Sequence, residues 1–428
     1  MASERFSILI LTDMRRTGAN TISDHVDAFK DYSRHDIYYY DPLGRTTSAN
    51  LEFDEFDVVV LHYSIYAIRD GYLHPFFRAK LAKYQGLKVQ FIQDDYRWIE
   101  QMCACTREMG IHLLFTLYAP EKIALVYSPS RLPGVTKFST LAGYVPENLL
   151  NKPTIPIASR PIDVGYRGRE LPFWLGHLGQ EKTNIVKAFH RHVQGHPLKH
   201  DVSCKEEDRI YGADWPKFIE SCKTMLGTES GSSITDFDGS AETRVLEYLQ
   251  EHPDASYEEV HAAVLSPFEG NVVHNCISPR AFETAALRTA MVLFPGEYSG
   301  LLEPWVHYVP LEKDLANFTE VAKAIQDTDL LMTMVNRAYD DLVGGGRYSY
   351  RTFIAAFDAI IDRYATPHGV TSKTKYELAM QEPLINVPMG WRGRLRWLAE
   401  TAGVPSWLVR KLKAVADVML RPFQRRSA

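Results

Sequence analysis

The sequence predicts an α/β chain built as two Rossmann-like domains that face a central cleft, with further helices toward the C-terminal end. Three observations predict it. The chain has 428 residues, and a single hydrophobic core rarely grows past about 250–300 residues. Short apolar runs alternate with amphipathic stretches, as in parallel β-α units. A segment at 144–158 carrying Pro146, Pro153 and Pro156 interrupts that alternation, which makes it the natural linker.

In the first series, Phe6–Thr12 is an apolar run followed by an amphipathic stretch from Thr21 to Tyr32. Further strands are expected at Ile37–Tyr40, Val58–His62, Val89–Gln93, Leu113–Leu117 and Val135–Ser139, with helices at 73–84 and 96–109. The second series predicts strands at Ile162–Tyr166, His200–Ser203, Thr224–Gly227, Met291–Phe294 and His307–Val309, and helices at 180–193, 214–222, 279–288 and 317–326. Near-continuous apolar strands of this kind belong to sheets covered on both faces. We therefore expect a first domain at 1–150, a second at 160–330 with an acidic helical insert at 236–268, helices at 331–366 that pack back on the lobes, and a basic amphipathic tail at 385–428.

Composition narrows the function. The formal charge of −5 is small for this length, so the body offers no electrostatic case for wrapping nucleic acid, and nucleic acid is set aside as a partner. Five cysteines without a C-x-x-C pair suit neither a disulfide framework nor a four-thiolate zinc site. The start, MASERFSILILTD, lacks a secretory pattern, and no run of about 18 apolar residues suggests a membrane span. These features point to the cytoplasm.

The richest stretch is 277–294, in which Ser278 and Pro279 open a helix that carries Arg280 and Glu283 and leads into a buried strand. Proline in the first turn is pre-set for the helix, and free N–H groups there attract a diphosphate. Arg280 adds a bidentate phosphate donor, and Glu283, one turn further, can accept two hydrogen bonds from a ribose diol. Arg280 and Glu283 could instead pair with each other at i, i+3. Arg167 and Arg169 end a strand, and Gly176 to Lys182 opens the next helix, so these cations could neutralise a departing phosphate. Glu229 and Ser230 lie in a hydroxyl-rich loop at the carboxyl edge of the sheet, where ligands bind in open α/β folds.

This pattern resembles the nucleotide-sugar signature of GT-B glycosyltransferases, the broad group 1 family that includes the CgeB-like enzymes. The resemblance covers about 160–330 and continues through Gly296–Asp314 and Asn317-Phe318. It implies two Rossmann-like lobes, a nucleotide-diphosphate sugar as co-substrate, no required cofactor or divalent metal, Glu283 on the donor ribose, and a turn carrying Tyr298 and Ser299 that reaches the donor. Many retaining members carry a second glutamate eight positions earlier; here that position is Asn275, which can hydrogen-bond a sugar but brings no charge, so the stereochemistry stays open. The acceptor implied is a glycan or lipid-linked glycan of cell-surface polysaccharide or glycoconjugate synthesis. A sugar-nucleotide epimerase and a non-catalytic nucleotide- or glycan-binding relative share the architecture and stay open as alternatives.

On the first lobe, Asp13, His25, Asp94 and Asp95 are candidate general bases for an acceptor hydroxyl, although aspartates at such corners commonly cap loops. Asp236-Phe237-Asp238 has the form of an Asp-x-Asp metal motif, but aspartate is also a favoured helix cap, and no metal is expected there. From Trp391 to Ala428 nine Lys/Arg face two Asp/Glu, a local charge of +7. Helices at 391–402 and 406–420 would suit an anionic membrane surface, or else the acidic body or a second subunit.

Overall fold

A computed structural model describes residues 5–15, 20–47, 51–150 and 153–368. The first lobe contains β1 (Ser7–Leu11), α1 (Asn20–Tyr32), β2 (Asp36–Tyr40), β3 (Val58–Leu61), α2 (Pro75–Lys83), β4 (Leu87–Phe91), α3 (Ile99–Met109), β5 (Leu113–Thr116), α4 (Pro120–Val126) and β6 (Thr136–Ser139). Its parallel sheet runs β2-β1-β3-β4-β5-β6. β1 and β3 are buried along their whole length, as expected of strands with helices on both faces.

The second lobe follows with β7 (Ile162–Arg167), α5 (Gly176–His192), β8 (His200–Ser203), α6 (Asp214–Ser221), β9 (Cys222–Gly227), β10 (Ser230–Ser232), α7 (Ser240–Glu251), α8 (Tyr257–Val260), β11 (His274–Cys276), α9 (Pro279–Ala286), β12 (Ala290–Leu293), β13 (Val309–Pro310), α10 (Phe318–Gln326), α11 (Thr328–Tyr339) and α12 (Tyr350–Tyr364). Its five-stranded sheet runs β13-β12-β9-β7-β8, all parallel. Numbered within each parallel sheet, the first five strands have the same order, 2-1-3-4-5. In both lobes the chain therefore reverses direction beside its first strand, and ligands bind in the crevice at the carboxyl ends there.

Three features depart from the sequence expectations. The helix α4 and the antiparallel pair β10–β11 are additional. The last predicted strand moves from 307–309 to Val309–Pro310, because His307 closes a turn in which its N–H donates to the Glu303 carbonyl, while its ring meets Asp341 at 3.0 Å. The predicted insert does form α7, α8 and a one-turn π-helix at His261–Leu265, yet it reaches across to the first lobe. Asp236 N–H donates to the Tyr96 carbonyl and Glu100 N–H to the Phe237 carbonyl, while Phe237 and Val272 pack on the first lobe's core. The tail helices expected at 391–402 and 406–420 lie outside the described residues.

α12 returns to the first lobe, where Tyr350, Phe353, Ile354, Phe357 and Ile361 join Phe29 of α1 and Phe91 of β4 in one buried cluster. No helix among the described residues is long and apolar enough to cross a membrane.

Candidate active site

A cavity of about 560 Å³ opens between the lobes. Its larger wall is the reversal point of the second sheet: the ends of β7 and β9, the start of α9, Lys182 of α5, and Trp215 of α6. The facing wall is Asn20, Thr21 and Ile22 of α1 with Gln93, Asp94 and Tyr96 beyond β4. Asn20 also closes part of the rim, since its side-chain amide donates to the Gly212 carbonyl at 3.0 Å and accepts from the Gly212 N–H at 3.1 Å.

The α9 corner is the chemically richest part. Pro279 occupies the first turn and Ser278 stands at the N-cap without a side-chain cap bond; both line the cavity with Arg280, at the helix end that favours an anion. Among the described residues Arg280 and Glu283 form no ion pair with each other, so the i, i+3 pairing does not occur. Arg280 donates to the Arg167 carbonyl at 2.5 Å, and its guanidinium lies 4.8 Å from the Tyr166 ring centroid and 5.3 Å from that of Trp215. Its Nε is buried without a partner. Glu283 is 8% exposed; burial pushes its carboxyl up, opposed by a hydrogen bond from the Trp215 indole and by the Arg280 charge. The indole reaches Oε2 at 2.8 Å, and no hydrogen bond among the described residues takes Oε1. Glu283 lines the cavity, so a ligand hydroxyl can complete the bonding of Oε1.

Lys182, Ser230, Arg169 and Tyr298 also line the cavity. Burial pushes Lys182 down, with the Arg280 charge adding to the effect, and its Nζ sits 3.4 Å from the Ser230 hydroxyl. Gly231 has φ of +126, and a Cβ there would meet the His274 carbonyl at 1.8 Å, so only glycine fits this turn. Arg169 is exposed and makes no ion pair among the described residues. Tyr298 is buried, and its hydroxyl donates to the Phe294 carbonyl at 2.6 Å.

Other expected donor residues are turned to internal work. Arg167 lines the cavity, but its guanidinium makes two 2.8 Å bonds to Asp201. Glu229 accepts from the Tyr298 N–H at 2.8 Å and from the Asn275 amide at 3.1 Å. Asn275 also donates to Glu297 and accepts from Lys122 of α4 at 2.7 Å. Ser299 is exposed and its hydroxyl accepts from the Ile277 N–H. None of Glu229, Asn275 and Ser299 lines the cavity; together they brace the 297–299 turn against β9 and α4.

Among the candidate bases, the structure brings only Asp94 to the cavity wall. It is exposed, with φ of +57, a conformation aspartate tolerates better than most residues. Asp13 is closed by Arg15, whose Nη2 reaches Oδ2 at 2.6 Å. His25 is buried against Phe29, Tyr63, Phe91 and Phe353 and bonded to His62 at 3.0 Å. Burial pushes it down to about 3, so it is a neutral core histidine. Asp95 is buried beneath Thr116 and Tyr127, both of which donate to its Oδ2. His274 Nε2 lies 2.9 Å from Asp95 Oδ1, though too bent for a hydrogen bond. Asp236 caps α7, accepting from the N–H groups of Gly239, Ala241 and Glu242.

Two residues were not assigned a role from sequence. Trp215, in an ordinary helix, orients Glu283 from a position 68 residues away. Asp24, one turn along α1 from the cavity wall, has its carboxyl pushed up to about 7 by burial first, then by the Glu283 and Asp27 charges. The only signal for either was proximity to a corner expected to bind ligand.

No family model matches the sequence, and no curated protein matches it. Solved structures do match. An alpha-glucosyltransferase in complex with UDP and a 13-mer DNA containing an HMU base has a TM-score of 0.52 and 9% identity, with 84% of this chain and 100% of that chain covered. The same alpha-glucosyltransferase with UDP and DNA containing an A:G mismatch gives 0.51, 9%, 84% and 100%. The DNA-modifying enzyme beta-glucosyltransferase gives 0.50, 12%, 83% and 99%. One expectation is corrected here. Nucleic acid was set aside on net charge, but proteins of this same fold are seen bound to DNA, and a whole-chain charge averages away any local basic surface. Across the 84% of the chain that this likeness covers, it has the GT-B fold, with two Rossmann-like lobes around a central cleft.

Proposed function

We propose that the chain is a glycosyltransferase that takes its sugar from a nucleoside diphosphate sugar. The observation that carries this is Glu283, a largely buried carboxylate at a helix start whose Oε1 takes no hydrogen bond among the described residues, beside Arg280 and Lys182 in the same cavity. In this proposal Glu283 receives the ribose hydroxyls. Ser278, Arg280, Lys182 and the first N–H groups of α9 hold the diphosphate and stabilise the charge it gains on leaving. Trp215 and Tyr166 flank Arg280 and keep its charge aimed at that position. Asp94 accepts the acceptor hydroxyl proton as the new C–O bond forms and the sugar–phosphate bond breaks. The α9 signature supports placing the chain near the group 1 and CgeB-like enzymes within its fold.

The solved structures contain UDP, which supports a uridine nucleotide as the first donor to test. Their DNA, taken with the +7 charge of 391–428, supports a polyanionic acceptor. DNA carrying hydroxymethylated bases comes first and a lipid-linked glycan on an anionic membrane second.

Calorimetric titration with UDP tests the donor site. Saturable binding is expected, weakened about 30-fold or more by Glu283→Ala, on the order of 2 kcal/mol, with Glu283→Gln intermediate and both variants folded by circular dichroism. A panel of nucleoside diphosphates that binds wild type, Glu283→Ala and Arg280→Ala equally would remove the assignment.

A further inference from the structure

Outside the cavity, His177, His261 and Glu269 each bring one ligand atom into a cluster whose members all lie within 4.8 Å of one another. They come from three separate places: the first turn of α5, the π-helical turn at His261–Leu265, and the loop that leads out of the insert. We propose that this cluster is a divalent transition-metal site, with zinc as its first occupant, that pins the insert to the start of α5.

The donor set fits the metal. Two imidazoles and a carboxylate, with a fourth position left to water, are a common zinc arrangement. Donors about 2.0–2.2 Å from zinc in a tetrahedron stand roughly 3.3–3.6 Å apart. His261 Nε2 and Glu269 Oε2 are 3.5 Å apart, already at that spacing. His261 Nε2 is buried and has no hydrogen-bond partner. At 3.5 Å the two groups are close enough for an ion pair but longer than an ordinary hydrogen bond, a separation that leaves room for a shared cation.

The surroundings hold the ligands in that relation. The Tyr257 hydroxyl is 3.1 Å from His177 Nδ1, the type of outer partner that fixes the ring and leaves Nε2 for a metal. The rings of His177 and His261 lie 4.3 Å apart at 32°. The Glu269 carboxylate is drawn to the start of α5, 3.3 and 3.4 Å from the His177 N–H, where the helix favours an anion. Its negative charge offsets the repulsion that same helix end would exert on a cation. Gly176, with φ of +67, permits the approach: a Cβ there would lie 2.7 Å from Glu269 Oε2. π-Helical turns are rare and frequently mark functional sites, and this one carries His261.

The consequence is mechanical. α5 also presents Lys182 to the cavity, and the insert reaches the first lobe through Asp236 and Phe237. A metal at this junction would lock the insert, and with it the insert's contacts to the first lobe, to the helix that presents Lys182 to the cavity. It takes no part in sugar transfer, and it does not depend on the function proposed above.

The test uses the full chain, stripped with a chelator and dialysed, then titrated with Zn²⁺ and separately with Co²⁺. Expected are one tightly bound zinc per chain, a tetrahedral cobalt absorption spectrum, and a melting temperature raised by zinc and returned by chelator. His177→Ala, an exposed position, should keep the fold and weaken zinc at least tenfold, and His177→Ala combined with His261→Ala should abolish the cobalt spectrum. Wild type that takes up no stoichiometric zinc, or a double variant that binds it as tightly as wild type, overturns the site.

Discussion

The two lobes share one strand order but use their reversal points differently. At the second, the carboxyl ends of β7 and β9 and the start of α9 surround a cavity whose charged groups retain unused capacity among the described residues: one oxygen of Glu283, Nε of Arg280, and Lys182 with a long contact to Ser230. At the first, the equivalent polar residues have found one another. Asp13 holds Arg15, and Thr12, His25, His62 and Ser64 form a closed chain of hydrogen bonds. Identical topology therefore does not make equivalent sites. A titratable group at a β-α corner serves a ligand only when the protein has left part of its bonding capacity unfilled.

That contrast can be broken or sharpened experimentally. The largest effect is expected at the seam joining the lobes, where Arg97 makes bonds of 2.6–3.0 Å to Glu242, which also accepts from Trp98. Arg97→Ala leaves a carboxylate 9% exposed without its cation. A fully buried pair would cost about 3–5 kcal/mol; because Arg97 itself is 28% exposed, we expect about 2–3 kcal/mol in urea denaturation. An unchanged midpoint would mean that the insert does not brace the lobes.

A smaller effect should appear at Asp24, whose carboxyl is pushed up by burial first and then by the Glu283 and Asp27 charges. Its folded pKa of about 7 lies above the ordinary 3.8, so the folded state holds more protons than the unfolded chain between those values. Stability therefore falls as pH rises through that window. Asp24→Asn should gain on the order of 2 kcal/mol at pH 8, after discounting for solvent screening, and almost nothing at pH 4. Thermal melts at the two pH values decide it, and an equal shift at both would contradict the linkage. The smallest effect is expected at His25. In the folded fraction, His25→Leu should change kcat/KM for transfer by less than about twofold, whereas a loss of about 100-fold would restore His25 as a base.

Much of the fold was legible in the sequence because its signals are local. Apolar strands such as Val58–Leu61 and the Ser278-Pro279 helix start carry their own instructions, and those elements lie within a residue or two of expectation. The insert was legible as helix but not as a bridge, since nothing in 236–268 announces that Phe237 will bury against another domain's core. The donor corner was readable where one short segment holds both phosphate donor and carboxylate. It was unreadable where partners come from far away: Asp201 captures Arg167, Lys122 captures Asn275, and a ring of aromatics that includes Phe353 encloses His25. Periodicity reports that a residue sits at a corner, not which distant side chain reaches it first.

The return of α12 to the first lobe has a consequence for synthesis. Phe29 and Phe91 are buried partly by Phe353 and Phe357, which follow α1 by about 320 residues. At roughly 5–20 residues per second the ribosome needs about 15–60 s to supply them. For that interval the first lobe is an open-faced sheet with uncovered aromatics, while the second lobe emerges behind it. A fragment ended near residue 150 would remain in that state permanently, so the N-terminal half should aggregate when expressed alone and be rescued by a separately supplied peptide spanning 346–368.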